Sequence, residues 1–314
     1  MPIVPAAPWT GRVDTEKKER LFQYVKAVPG VESVLPGTLC ICGFAVDAGV
    51  VRNFGRPGAA EGPAALRTYM ANLCISLPAT AQILDLGDVH CVDGDLESAQ
   101  AELATLVQGI LHSGGFPVIL GGGHETAWGT YQGLARHGID PLEIINFDAH
   151  FDLRPVEGGK GTSGTPFTQM AQSCEAAQRT FSYACVGIQP SSNTESLFAR
   201  AAALHTDVIL AQTCVENPEK VQAHLRKKLQ TTKNLYLSFC LDVIHASIAP
   251  GVSAPQGLGL FPAQFLPLLD LCVTSPHLVA FELVEFAPGF DPTGCTGKLA
   301  AEILRTVIQA YFRR

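Results

Sequence analysis

The chain is predicted to fold as a three-layer α/β/α domain around a mostly parallel central sheet, and three observations predict it. Short apolar runs recur along the sequence and end in small or polar residues, as strands covered on both faces do. Stretches with helical apolar spacing lie between them. The residues with chemical character sit at the C-terminal ends of the runs, where open α/β sheets place their ligands.

In order, the runs are "TLCICGFAVD", "QILDLGDVH", "FPVILGGGHE", "LEIINFDAHFD", "RTFSYACVGIQP", "LYLSFCLDV" and "HLVAFELVEFAP". After the second, Ser98 to Gly115 has apolar positions near i, i+3, i+4 and i+7 and closes on two glycines that can stop a helix. No internal repeat or low-complexity linker interrupts this alternation, so residues 1–314 are read as a single domain. With 47% hydrophobic and 16% charged residues, the chain suits a soluble protein with a large core. A formal net charge of -7, and no Lys/Arg run able to follow a phosphate backbone, argue against nucleic acid and for a small-molecule substrate. The N-terminal "MPIVPAAPWTGRVDTEKKER" lacks the charged and apolar regions of a signal peptide, and no apolar run reaches the roughly 18 residues of a membrane span. No membrane partner and a cytoplasmic location are therefore expected. The ten cysteines are scattered through apolar segments and are read as reduced, mostly buried thiols.

Four constellations carry chemistry. In "INFDAHFDLR", Asp148, His150 and Asp152 fall at i, i+2 and i+4, so an extended segment would put all three on one face. Such a group needs a cation or a proton to compensate it, and its mixed oxygen and nitrogen donors suit Mn, Fe, Co or Zn; the bland alternative is a polar loop. In "GGGHE", glycines allow a close backbone approach that can present His124 at a strand end; alone, His124 reads equally as a core or capping residue. The segment matches neither the zinc-protease helix nor a P-loop. In "LSFCLD", alternation places Ser238, Cys240 and Asp242 on one face, with Asp242 a candidate ligand or a helix cap. In "AFELVEFAP", Glu282 and Glu285 stand in an apolar run, where acids need a partner such as a cationic substrate group. The other histidines lack ligand-like spacing and are read as surface or satisfied core residues; among them His245, three residues after Asp242, is the one whose spacing would allow a place near the rim of the site.

Taken together, "GFAVDAGVVRNFGRPGAAEGPAALR", "LGDV", "GGGHE", "NFDAHFDLR", "SGTPF", "LDV…APGVSAP" and "ELVEFAP" resemble, in order and over nearly the whole chain, the ureohydrolase superfamily of arginase, agmatinase and formimidoylglutamase. That resemblance implies a single three-layer α/β domain and a binuclear manganese cluster, with two Mn2+ sharing a bridging hydroxide. It implies His124 and Asp152 as terminal ligands of one ion, His150 and Asp242 as ligands of the other, and Asp148 as a bridge. Cys240 stands where the family has a second bridging Asp, and sulfur suits softer ions than Mn2+. Arg154, the "SGTPF" element with Ser163, and "GIQPSSNT" resemble the formimidoylglutamase branch; Phe167 occupies the position where arginase-like proteins have a His.

The implied reaction is hydrolysis of N-formimidoyl-L-glutamate to L-glutamate and formamide, a step of histidine degradation. Asp152 relays a proton, Glu285 faces the formimino nitrogen, and Arg154, Ser163 and Glu282 contribute to substrate binding. The alternatives are a guanidino-compound hydrolase releasing urea, and a metal-free, catalytically silent binding protein of the same fold. The resemblance also implies a homo-oligomer. A regulatory disulfide joining Cys240 to Cys40 or Cys42 is conceivable only if the thiols approach one another.

Overall fold

The computed structural model describes residues 3–314 and contains one nine-stranded sheet in which every pair of neighbours is parallel. The strands are β1 (Val25–Ala27), β2 (Leu39–Ala45), β3 (Ile83–His90), β4 (Phe116–Leu120), β5 (Glu143–Phe147), β6 (Ser182–Ile188), β7 (Asp207–Leu210), β8 (Leu235–Cys240) and β9 (Leu278–Val284). Their spatial order is β1-β3-β2-β4-β9-β8-β5-β6-β7. All seven apolar runs form strands. The two strands that the runs did not mark, β1 and β7, are the edges of the sheet, where short and partly polar segments suffice because one side needs no partner.

Each strand sorts its side chains by parity into two cores. In β8, Leu235, Leu237 and Phe239 face the layer of α2 (Gly62–Ala71), α8 (Pro218–Thr231), α9 (Pro262–Val273) and α10 (Cys295–Tyr311). Tyr236 faces the opposite layer, formed by α3 (Leu96–His112), α4 (Thr126–His137), α5 (Pro166–Ala176) and α6 (Glu195–Ala203). This is the period of two that a half-turn per strand residue dictates, applied to a sheet buried on both sides. α3 covers the helix expected from Ser98 to Gly115; it starts two residues earlier because Asp95 caps it, accepting from the Ser98 backbone N–H at 3.0 Å. No helix of the described residues is long and apolar enough to cross a membrane.

The strand order is what makes a site. β4 and β5 follow one another in sequence, but β9 and β8 lie between them in the sheet, so the segments leaving β4 and β5 diverge around a crevice at the C-terminal edge. The ends of β4, β9, β8 and β5 are adjacent there, and they carry "GGGHE", Glu285, "CLD" and "DAHFD". The same order separates the thiols. Cys42 lies three strand spacings from β8, about 14 Å, whereas a disulfide needs Cα atoms within about 7 Å. All ten cysteines are free, and Cys40 and Cys42 belong to the core facing α3.

The loop after β4 depends on glycine at a position of close approach. A Cβ at Gly122 would stand 1.8 Å from the Val46 carbonyl oxygen, a backbone atom that cannot move aside. The Gly122 carbonyl in turn accepts the Glu285 backbone N–H at 2.7 Å, so this contact ties β2, β4 and β9 together below the site. Gly122→Ala is therefore expected to lower stability by at least about 2 kcal/mol, read as a reduced urea midpoint.

Candidate metal centre

Backbone turns, not strand alternation, bring "DAHFD" together. β5 ends at Phe147, one residue short of Asp148, and the segment leaves the extended conformation expected of it. The His150 backbone N–H donates to Asp148 Oδ1 at 2.7 Å, and Asp152 sits in the left-handed region at φ 48°. Asn193 clamps the turn from both sides of His150: its Nδ2 donates to the Ala149 carbonyl at 2.9 Å, and its Oδ1 accepts from the Phe151 N–H at 3.0 Å. Asn193 lies within "GIQPSSNT", but the sequence does not single it out for this role. Its signal is faint, since an Asn in a loop normally serves only its own turn.

His124 Nδ1 lies 2.9 Å from Asp148 Oδ2 and 2.9 Å from Asp152 Oδ2. His150 Nδ1 lies 3.0 Å from Asp242 Oδ2 and 3.4 Å from Asp148 Oδ1. Glu285, also left-handed at φ 69°, accepts the His124 backbone N–H on Oε1 at 2.7 Å. Cys240 is the last residue of β8, and Asp242 follows on a single helical turn. The potential donor atoms form two triads, each within 4.8 Å: His124, Asp148 and Cys240, and Asp148, His150 and Asp242. Asp148 belongs to both.

The electrostatics of this cluster are unbalanced. Burial lowers the proton affinity of His124, but Asp148 and Asp152 outweigh it and raise its pKa well above the ordinary value. Burial likewise opposes, and Asp242 and Asp148 overcome, the same rise at His150. Burial raises Asp148 too, yet the hydrogen bonds and charges of the two imidazoles hold it below the usual carboxylate range. Asp152 and Asp242 are raised by burial and by the Asp148 charge, and Glu285 by burial and by Glu125 and Asp242. The Cys240 thiol is pushed up by burial and by the surrounding carboxylates. The carboxylates thus favour positive charge at both imidazoles.

One atom tests whether a metal fits. His124 Nδ1 is buried and within reach of two carboxylate oxygens, yet no hydrogen bond of acceptable direction satisfies it. An in-plane nitrogen lone pair with two carboxylates beside it is a cation's coordination environment, and the mixture of N, O and S donors suits a divalent transition ion. The residues present fit a metal cluster.

The cluster forms the floor of a cavity of about 400 Å³, whose wall also includes Arg154, Asn53, Ser163 and Gln256. Arg154 is the one arginine or lysine on that wall, and among the described residues no ion pair occupies it. The arginines that flank Asn53 in sequence are taken: Arg52 pairs with Glu97, and Arg56 bonds the Ser253 carbonyl and stacks on Phe290. Ser163 Oγ accepts from Asn53 Nδ2 at 3.2 Å and keeps its own proton available.

One expectation is corrected. Glu282 does not reach the cavity: it is wholly buried and accepts hydrogen bonds from Ser238 and Thr130, because its parity in β9 points it beneath α4. A buried acid found its partner inside the protein, not in a substrate. His245 is turned from the rim as well, its ring stacked on Phe261 with centroids 4.7 Å apart. Phe167 packs its ring against the edge of His124 at 5.4 Å and lies in the core, so it forms the wall behind that ligand.

This chain belongs to the arginase family, whose family model matches residues 38–309. Among its relatives it is similar to formimidoylglutamase of Legionella pneumophila strain Paris, 40% identical over 312 residues covering 97% of this chain and 96% of that protein. It is also similar to formimidoylglutamase of Ralstonia nicotianae, 41% identical over 316 residues and covering 96% and 94% of the two chains. The crystal structure of Trypanosoma cruzi formiminoglutamase with Mn2+ superimposes with a TM-score of 0.79 at 26% identity, covering 88% of this chain and 94% of that one.

Metal binding to the folded state alone adds about 2.7 kcal/mol of stability at a hundredfold excess over Kd. Mn2+ is therefore expected to raise the thermal midpoint of chelator-treated protein by several degrees, measured by scanning calorimetry. Asp148→Asn, which weakens the shared ligand, is expected to abolish that rise.

Proposed function

We propose that this chain hydrolyses N-formimidoyl-L-glutamate to L-glutamate and formamide at a cluster of two Mn2+ ions held by His124, Asp148, His150, Asp152, Cys240 and Asp242. The observation that carries the reading is a cavity that joins a single unengaged guanidinium, Arg154, to a floor of acids and imidazoles. The substrate has the complementary chemistry, carboxylates at one end and a basic amidine at the other. Relatives named formimidoylglutamase at about 40% identity over almost the whole chain support the same choice.

When bound, the ions would supply Lewis acidity and lower the pKa of a water from 15.7 toward about 7, making a nucleophile at neutral pH. The remaining work falls to the chain. Arg154 is placed to take a substrate carboxylate through its planar fork, with the Ser163 hydroxyl as a second donor. Glu285 has one oxygen fixed by the His124 backbone N–H, which leaves the other for an N–H of the formimino group. Pairing with that basic group offsets the burial that otherwise keeps Glu285 protonated.

Asp152 is beside His124 and retains contact with the cavity, so it can accept a proton as water adds to the formimino carbon. Delivered to the glutamate nitrogen, that proton lets the C–N bond break with the amine as leaving group. The atoms balance: one water is consumed, its oxygen appears in formamide, and the amine leaves as glutamate.

The test is a substrate panel on Mn2+-loaded protein, assayed for formamide and urea. Formamide from N-formimidoyl-L-glutamate is the expected result; urea from agmatine, guanidinobutyrate or arginine, without formamide, would overturn it. Arg154→Ala should raise KM by roughly 30- to 150-fold with a smaller change in kcat, as loss of a charge-assisted pair of about 2–3 kcal/mol implies. Cys240→Asp should tighten the more weakly held ion, seen as higher metal content at limiting Mn2+ by elemental analysis.

A further inference from the structure

One row of residues crosses the four central strands directly beneath the ligands. Ile119 of β4 pairs with Glu282 of β9, Glu282 with Ser238 of β8, and Ser238 with Asn146 of β5. Three of the four are polar, and all three are wholly buried in a sheet covered on both sides. Such groups are costly unless hydrogen-bonded, and here two of the bonds reach proposed metal ligands. Asn146 Nδ2 donates to Asp148 Oδ2 at 3.1 Å. Ser238 Oγ lies 3.0 Å from His124 Nε2 and donates to Glu282 Oε1 at 2.8 Å, while Thr130 Oγ1 donates from α4 to Glu282 Oε2 at 2.7 Å.

The directions of these bonds are fixed by counting protons. Burial raises the Glu282 pKa, and the His124 charge and the hydroxyls of Tyr236, Thr130 and Ser238 work against that rise; as a carboxylate Glu282 only accepts, taking the single hydroxyl proton of Ser238 on one oxygen and that of Thr130 on the other. Ser238 then has only lone pairs to offer His124, and the imidazole must carry a proton on Nε2 to bond it. The lone pair of the neutral ring is left on Nδ1, the atom that faces Asp148 and Asp152. The reverse order would put a proton on Nδ1 and close that atom to a cation.

We infer that Thr130, Glu282 and Ser238 form a positioning relay that holds His124 in the Nε2-protonated tautomer and keeps Nδ1 open as a metal ligand. None of the three lines the cavity or touches substrate. The relay gives the buried acid of β9 a role in metal affinity, and it rests on the metal-cluster reading above. Partners one step behind a ligating histidine are typically worth 10- to 100-fold in metal affinity.

The experiment measures Mn2+ affinity of the full chain by competition with a chelator, without substrate. Ser238→Ala is expected to weaken one ion by 10- to 100-fold, and Ser238→Thr, which keeps the hydroxyl, to recover most of the loss. Thr130→Val removes a more remote donor and should weaken the same ion severalfold. Equal affinity in wild type and Ser238→Ala, or no recovery in Ser238→Thr, would overturn the relay while leaving the metal cluster standing. A wild-type chain that binds no Mn2+ would overturn the metal cluster and the relay together. Nitrogen-15 spectra of histidine-labelled, Cd2+-loaded wild type give a reading that survives a misfolded variant: protonated Nε2 on His124 is expected, and protonated Nδ1 would overturn the inference.

Discussion

Asp148, Asp152, Asp242 and Glu285 converge with two imidazoles and a thiol where, among the described residues, no lysine or arginine pairs with them. Isolated carboxylates are not buried beside one another without compensation, so everything around this point answers to the need for positive charge. Protons on the histidines can meet that need, and divalent ions meet it with a larger charge at the same nitrogen atoms. The sheet contributes by bringing four parallel strand ends side by side, which aims groups from distant parts of the sequence at a volume small enough for the ions to matter.

Around the charge imbalance the architecture is arranged in tiers. The lowest is the apolar sheet, packed by helices on both faces. Above it runs the polar row of Glu282, Ser238 and Asn146, which orients the ligands. Next come the ligands, set by turns that Asn193 and the glycine loop hold in place. The cavity wall is uppermost, where Arg154 faces solvent and can meet a soluble anion. Removing a group from a lower tier disturbs every tier above it, whereas a change in the wall alters only what is recognised.

The strands flanking the site and the residues that form its floor were legible in the sequence because both are written locally. Apolar runs mark the central strands, and D-x-H-x-D or GGGHE marks a strand end with unusual donors. Glu282 was visible as an anomaly but received the wrong partner. Its neighbour across the sheet, Ser238, is 44 residues away, and only strand order makes them adjacent. Thr130 carries no local mark and Asn193 only a faint one, since a threonine in a helix and an asparagine in a loop are ordinary there. The expected extended geometry of "DAHFD" failed for a related reason: an Asp that accepts from the backbone two residues on turns the chain, and alternation no longer applies.

The left-handed backbone at Asp152 and Glu285 has a bearing on how such a protein evolves. Non-glycine residues in that region cost of order 1–3 kcal/mol each, and glycine at either position would relieve the cost. Random drift would therefore find more stable sequences by discarding the two acids that the chemistry uses. A stability-guided redesign of this fold would therefore favour replacing the two acids to which the proposed chemistry assigns roles.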